Sequence, residues 1–182
     1  MLSQAKKDKK EEEEVPSSQA LVVKQSIRSH HGALTDLCYG ESSKILATSS
    51  DDCTIALWNC QEEKPVNHYT LRGHKGPIFA VTSCKEDERL LFSAGAEGVI
   101  KIWMVPQFEK ADQYPATNGR DFCVGEWKTC DENPSKQEAY ITLKYAPFSN
   151  MLLAVKFGGM IELWDCNEQV KKAKDYKQDD IE

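Results

Sequence analysis

Seven cysteines, at 38, 53, 60, 84, 123, 130 and 166, are the side chains in this sequence most able to do chemistry. Their number is odd and no Cys-x-x-Cys occurs, so neither a disulfide framework nor a zinc site is spaced for. They read as reduced thiols of a cytoplasmic protein and, first of all, as small buried apolar side chains. Cys130 has the best chemical argument. Lys128 stands two residues before it and would favour the nucleophilic thiolate. A thiol-dependent enzyme is therefore the competing reading from another class. Gly95-Ala96-Glu97-Gly98 has the glycine content of a phosphate cradle, but no Gly-Lys-Ser/Thr follows, so it reads as a turn between strands. No metal and no cofactor is expected.

The 182 residues carry 23 basic and 29 acidic side chains, a net charge of −6, and a broad nucleic-acid footprint needs the opposite balance. No apolar run approaches the roughly 20 residues of a membrane span. The start, Met1 to Lys7, has no apolar core of a signal peptide.

The elements that must position any site are short strands. Leu34–Tyr39, Lys44–Ala47 and Thr54–Trp58 are apolar or β-branched runs bounded by Gly, Ser, Asp or Asn. Ala20–Val23 is another, and no helical period stands out. Residues 1–19 are different: Lys6–Lys10 runs into Glu11–Glu14, with nothing to bury, so a solvated, disordered tail is expected. Residues 168–182, where lysines alternate with acids, are expected to be a second charged tail.

Internal repetition organises the rest. Arg28-Ser29-His30 and Leu46–Asn59 match Arg72-Gly73-His74 and Leu91–Trp103, with Trp58 and Trp103 standing 45 apart. A third copy aligns at a constant offset of 106, Leu37–Ala47 on Leu143–Leu153 and Trp58 on Trp164. A period near 45, with Gly-His early and Trp late, resembles the WD-repeat family. The resemblance implies an all-β fold: a partial, open β-propeller of about three four-stranded blades, the third incomplete. Within the family, Ile27–His30, Leu57–Gln61, Arg72–Pro77 and the long stretch containing Tyr114-Pro115 resemble the start of a striatin-type propeller.

The resemblance also implies a buried network in each blade: His30, Thr48, Asp52 and Trp58 in the first, His74, Ser93, Glu97 and Trp103 in the second. In the third copy Lys136, Ala154 and Gly158 stand at the His, hydroxyl and acid positions, and only Trp164 remains. Deleting several polar partners together can be nearly neutral, so that blade still folds, with a looser leading loop. A histidine, an acid and a hydroxyl suggest a catalytic triad, but a nucleophile belongs in a cleft beside an oxyanion site. These sets recur with the blade and read as structural.

The expected layout is a stray outer strand at 20–28, blade 1 at 29–72, blade 2 at 73–128 with an inserted loop at 105–120, and an incomplete blade 3 at 129–167. Seven blades of this period need roughly 315 residues. The chain therefore reads as a truncated or non-functional fragment, or as part of a ring that another chain completes. The leading functional reading is a non-catalytic scaffold that binds other proteins. By resemblance its partners are protein phosphatase 2A and kinase complex subunits, with no nucleic acid and no membrane. Channel-rim positions are the partner-binding candidates: Asp51, Ala96 and Phe157, with His31 and Lys75 beside the repeat histidines. Phe157 either anchors a partner or packs on a neighbouring blade.

Overall fold

The computed structural model describes residues 23, 25–28, 30–61, 65–105, 122–128 and 137–175. They form three antiparallel sheets, a one-turn 3-10 helix at Pro147–Ser149 and one α-helix. Sheet 1 holds β1 (Leu34–Tyr39), β2 (Ile45–Ser50), β3 (Thr54–Asn59) and β4 (Val66–Arg72) in sequence order. Sheet 2 repeats the meander with β5 (Ile78–Ser83), β6 (Leu90–Gly95), β7 (Val99–Met104) and β8 (Cys123–Lys128). Sheet 3 has three strands, β9 (Tyr140–Ala146), β10 (Met151–Lys156) and β11 (Ile161–Asp165). The fold is an open, partial propeller of three blades.

Register repeats with the sequence. Leu46 opposes Trp58, Leu91 opposes Trp103 and Leu152 opposes Trp164. The turn from second to third strand needs a left-handed residue in every sheet: Cys53 at φ 66°, Gly98 at 63° and Gly159 at 84°. Glycine adopts this region freely, whereas Cys53 holds it at a cost.

Successive side chains of a strand point to opposite faces, so each sheet has two. The side bearing the tryptophan packs on the preceding sheet. Ile78, Val81, Leu91 and Trp103 meet Ile45, Ile55, Leu57 and Leu71 between sheets 1 and 2. Tyr140, Leu143 and Leu152 meet Phe92, Ile100 and Ile102 between sheets 2 and 3. The middle strands β6 and β7 are covered on both sides, and all twelve of their residues are buried. Aromatic stacks line the second interface, with Trp127 and Trp164 5.4 Å apart and 6° from parallel. Polar ties add to the first: the Val81 amide donates to Asp36 Oδ2 at 3.0 Å, and the Thr35 hydroxyl to the Ile78 carbonyl at 2.7 Å.

Two expectations are corrected. Within residues 168–182, helix α1 (Asn167–Asp175) replaces the charged tail, although residues 176–182 lie outside the described set. Val170 and Ala173, three apart on one helical face, are buried in the cluster with Cys84, Leu90 and Met104. Arg89 Nη2 donates to the Ala173 carbonyl at 3.1 Å and holds the helix end. In the segment 20–28, residues 23 and 25–28 lie in no strand and are exposed, Val23 by 78%. A strand exists only with an edge to pair with, and among the described residues none pairs with these. The tail 1–19 lies outside the described residues. So do 106–120 of the inserted loop, Cys130 and Lys136.

Candidate functional site

In sheet 1, His30 sits just before β1 with 2% of its side chain exposed. Its Nε2 lies 2.9 Å from Thr48 Oγ1, and its Nδ1 lies 3.2 Å from Asp52 Oδ2 and 3.1 Å from Thr54 Oγ1. The Trp58 indole N–H donates to Thr48 Oγ1 at 3.3 Å. Asp52 also accepts the Thr54 hydroxyl at 2.6 Å, the Thr54 amide at 3.0 Å and the His31 amide at 3.0 Å. Partial burial works against its charge. The Thr54 hydroxyl, the two amides and His30 outweigh that and hold its carboxyl at about 2.

Sheet 2 builds the same arrangement. The Trp103 indole donates to Ser93 Oγ at 2.8 Å, and Ser93 Oγ lies 2.7 Å from His74 Nε2. His74 Nδ1 contacts Glu97, whose other oxygen accepts the Lys75 amide at 3.2 Å. Burial pushes the His74 pKa down and keeps the ring neutral, against the opposing pull of Glu97. With Ser93 Oγ already accepting from Trp103, its hydrogen goes to His74 Nε2. The remaining imidazole proton sits on Nδ1 and faces Glu97.

Sheet 3 lacks this set and has another in its place. Glu162 Oε2 accepts the Tyr140 hydroxyl at 2.6 Å and the Trp164 indole at 3.2 Å. Glu162 Oε1 pairs with Lys156 Nζ at 2.7 Å, and this ammonium lies 5.3 Å from the centre of the Tyr140 ring. Lys156 and Glu162 are 5% and 13% exposed. Sequence reasoning missed this group, although it left a signal. Glu162 and Lys156 are charges at positions held by Ala56 and Ser50 in the first copy, both buried there.

The five channel-rim candidates all lie at one end of the sheets. The same backbone bond fixes that end three times: the amides of Asp51, Ala96 and Phe157 donate to the carbonyls of Ala33, Pro77 and Ala139 at 3.1, 2.9 and 2.9 Å. Asp51, Ala96, His31 and Lys75 are exposed, and Phe157 is 81% exposed. Beside this end, a cleft of about 570 Å³ is lined by Asp52, Arg72, His74, Lys75, Lys101 and Glu126 among others. Lys101 is nearly buried in it and pairs with Glu126.

Among the described residues no three His, Cys, Asp or Glu side chains gather to hold a metal ion. The thiols of Cys38, Cys53, Cys60, Cys84, Cys123 and Cys166 are all pushed up, chiefly by burial, Cys38 and Cys166 to about 12. None of these six favours the thiolate. No helix among the described residues is long and apolar enough to cross a membrane.

Comparison with known proteins agrees with this geometry. The family described as "WD domain, G-beta repeat" matches residues 22–59 and 66–104, which contain β1–β3 and β4–β7. Human Striatin is 27% identical over 154 residues, covering 79% of this chain and 18% of Striatin. Human Striatin-3 is 27% identical over 158 residues, 81% of this chain and 18% of the relative. Mouse Striatin-4 is 28% identical over 151 residues, 77% and 18%. The chain thus aligns with less than a fifth of each relative. The WD-repeat match covers the first seven strands, and over most of its length the chain is similar to striatins at 27–28% identity.

Proposed function

We propose that this chain is a non-catalytic, cytoplasmic scaffold that binds other proteins through the loop end of its blades. The observation that carries the reading is the combination of held backbone and free side chain at that end. Asp52 and Glu97 fix the His31 and Lys75 amides, while both side chains are exposed. Phe157 presents its ring from a turn whose amide is bonded to Ala139. Preformed loops lose little freedom on binding, and an exposed aromatic ring is suited to be an interface anchor. Similarity to striatins supports an adaptor role in phosphatase and kinase signalling, with protein phosphatase 2A and kinase subunits as the partner class.

The test is affinity purification of the chain from cells with quantitative mass spectrometry. The comparison is with a triple variant, His31→Ala, Lys75→Ala and Phe157→Ala. Phosphatase and kinase subunits should be recovered with the natural sequence and depleted at least about tenfold with the variant, the scale of a lost hot spot. Identical partner sets for the two, at equal expression, would refute the reading.

A further inference from the structure

The faces of the three sheets form a series. Each has a forward face on its second and third strands and a rear face that carries the tryptophan. On the forward face of sheet 1, Ile55 and Leu57 are both 0% exposed, because the rear face of sheet 2 lies on them. Their counterparts in sheet 2, Ile100 and Ile102, are 0% and 3% exposed beneath the rear face of sheet 3. Their counterparts in sheet 3 are Ile161 and Leu163, and these are 62% and 64% exposed. Leu153 and Val155 of β10 share that side, opposite Leu163 and Ile161 in the register. A contiguous apolar face of this kind marks a binding surface.

The rear faces run the other way. Ile78 and Val81 of sheet 2 are 0% and 1% exposed, and Tyr140 and Leu143 of sheet 3 are both 0%. The counterparts in sheet 1, Leu34 and Leu37, are 49% and 56% exposed, with Tyr39 of the same strand at 40%. Trp58 is buried, so the open part of this rear face is the row along β1. Among the described residues, one forward face and one rear face are therefore left uncovered, at opposite ends of the stack. Twice in this molecule a forward face is closed by a rear face with apolar side chains at these same positions.

We propose that the exposed face of sheet 3 is a self-association surface that receives the β1 side of sheet 1 from a second copy of this chain, head to tail. The occupant follows from the repeat: the surface that fits a forward face is present in the chain itself and uncovered among the described residues. The contact is heterologous, so assembly proceeds past two copies unless the rotation closes a ring. It uses the blade faces and leaves the loop end free, so it goes beyond the scaffold reading and stands or falls separately from it.

Light scattering on the full 182-residue chain, from about 1 to 100 µM, covers the range of micromolar association. The mass should rise with concentration above that of one chain. Leu163→Lys and Leu37→Lys should each weaken association by about tenfold or more, as charges set into a buried apolar contact do. Each variant keeps one intact face, so an equimolar mixture should regain association and stop at two copies. That rescue also shows that both variants fold. One-chain mass throughout the range would overturn the proposal. So would association that Leu37→Lys leaves unchanged, which indicates sheet 3 pairing with itself, or a mixture that stays at one-chain mass.

Discussion

Sheets 1 and 2 satisfy their buried tryptophan in one way, and sheet 3 satisfies its half-buried one in another. In the first two, the indole N–H meets a hydroxyl, Thr48 or Ser93, and a histidine carries the bond on to an acid in the next turn. In the third, the indole meets the carboxylate of Glu162, which also holds Tyr140 and Lys156. The position imposes a donor that needs an acceptor, and the identity of the acceptor is open. The difference lies in what breaks. A network relayed through a hydroxyl and a histidine loses one or two bonds when that hydroxyl is removed. A buried ion pair leaves an uncompensated charge.

The largest expected effect follows from that asymmetry. Glu162→Leu takes the carboxylate from Lys156 inside the core, and urea unfolding should show a loss of about 3–5 kcal/mol. The double change Glu162→Leu with Lys156→Met should recover most of it, because no charge is then left behind. Equal losses for the single and double variants would remove the ion pair from the explanation. Ser93→Ala tests the hydroxyl–histidine network. It strips the acceptor of Trp103 and the partner of His74, for a loss of about 1–3 kcal/mol in the same experiment. A value matching Glu162→Leu would erase the contrast between the sheets.

Acid titration of stability separates the sheets further. His74 is held neutral in the fold with its pKa below the unfolded 6.5, so the unfolded chain takes up the proton first. Stability from this group is full above pH 6.5 and falls as the pH drops below it. Asp52, at about 2 against an unfolded 3.8, contributes stability above pH 3.8 that is lost as the pH falls towards 2. The urea midpoint should therefore decline in two steps, and His74→Gln should flatten the upper one. An unchanged upper step in that variant would assign it elsewhere.

The turns give the smallest effects. An alanine Cβ at Gly98 would come 2.5 Å from Gln137 Cγ and 2.7 Å from the Glu138 carbonyl oxygen, whereas at Gly159 it meets nothing within 4 Å. Gly159→Ala should cost about 1–2 kcal/mol, the left-handed backbone penalty alone, and Gly98→Ala visibly more. Cys53→Gly removes the same penalty from the first sheet, and thermal unfolding should show a gain of up to about 1 kcal/mol.

The strands and turns were legible because their signals are local. An apolar run such as Thr54–Trp58 carries its own alternation and punctuation, and the offsets of 45 and 106 hold from strand to strand and into the register. The sheet 3 network was not legible by the same route. The losses at Ala154 and Gly158 can be read from the alignment, but Glu162 gains meaning only when β9, β10 and β11 bring Tyr140, Lys156 and Trp164 to it. Helix α1 was hidden for a similar reason. Val170 and Ala173 are too few to mark a buried face among the charges of 167–175, and the surface they cover is made by Cys84, Leu90 and Met104, some eighty residues earlier.

The sequence by itself determined the blade count, the strand order within each blade and the place where the third copy departs from the others, since each depends on residues near one another in the chain. Tertiary structure decided which acceptor meets Trp164, where the C-terminal charges become a helix and which blade faces stay uncovered. Those outcomes depend on burial, and a side chain is buried only by what another strand brings against it.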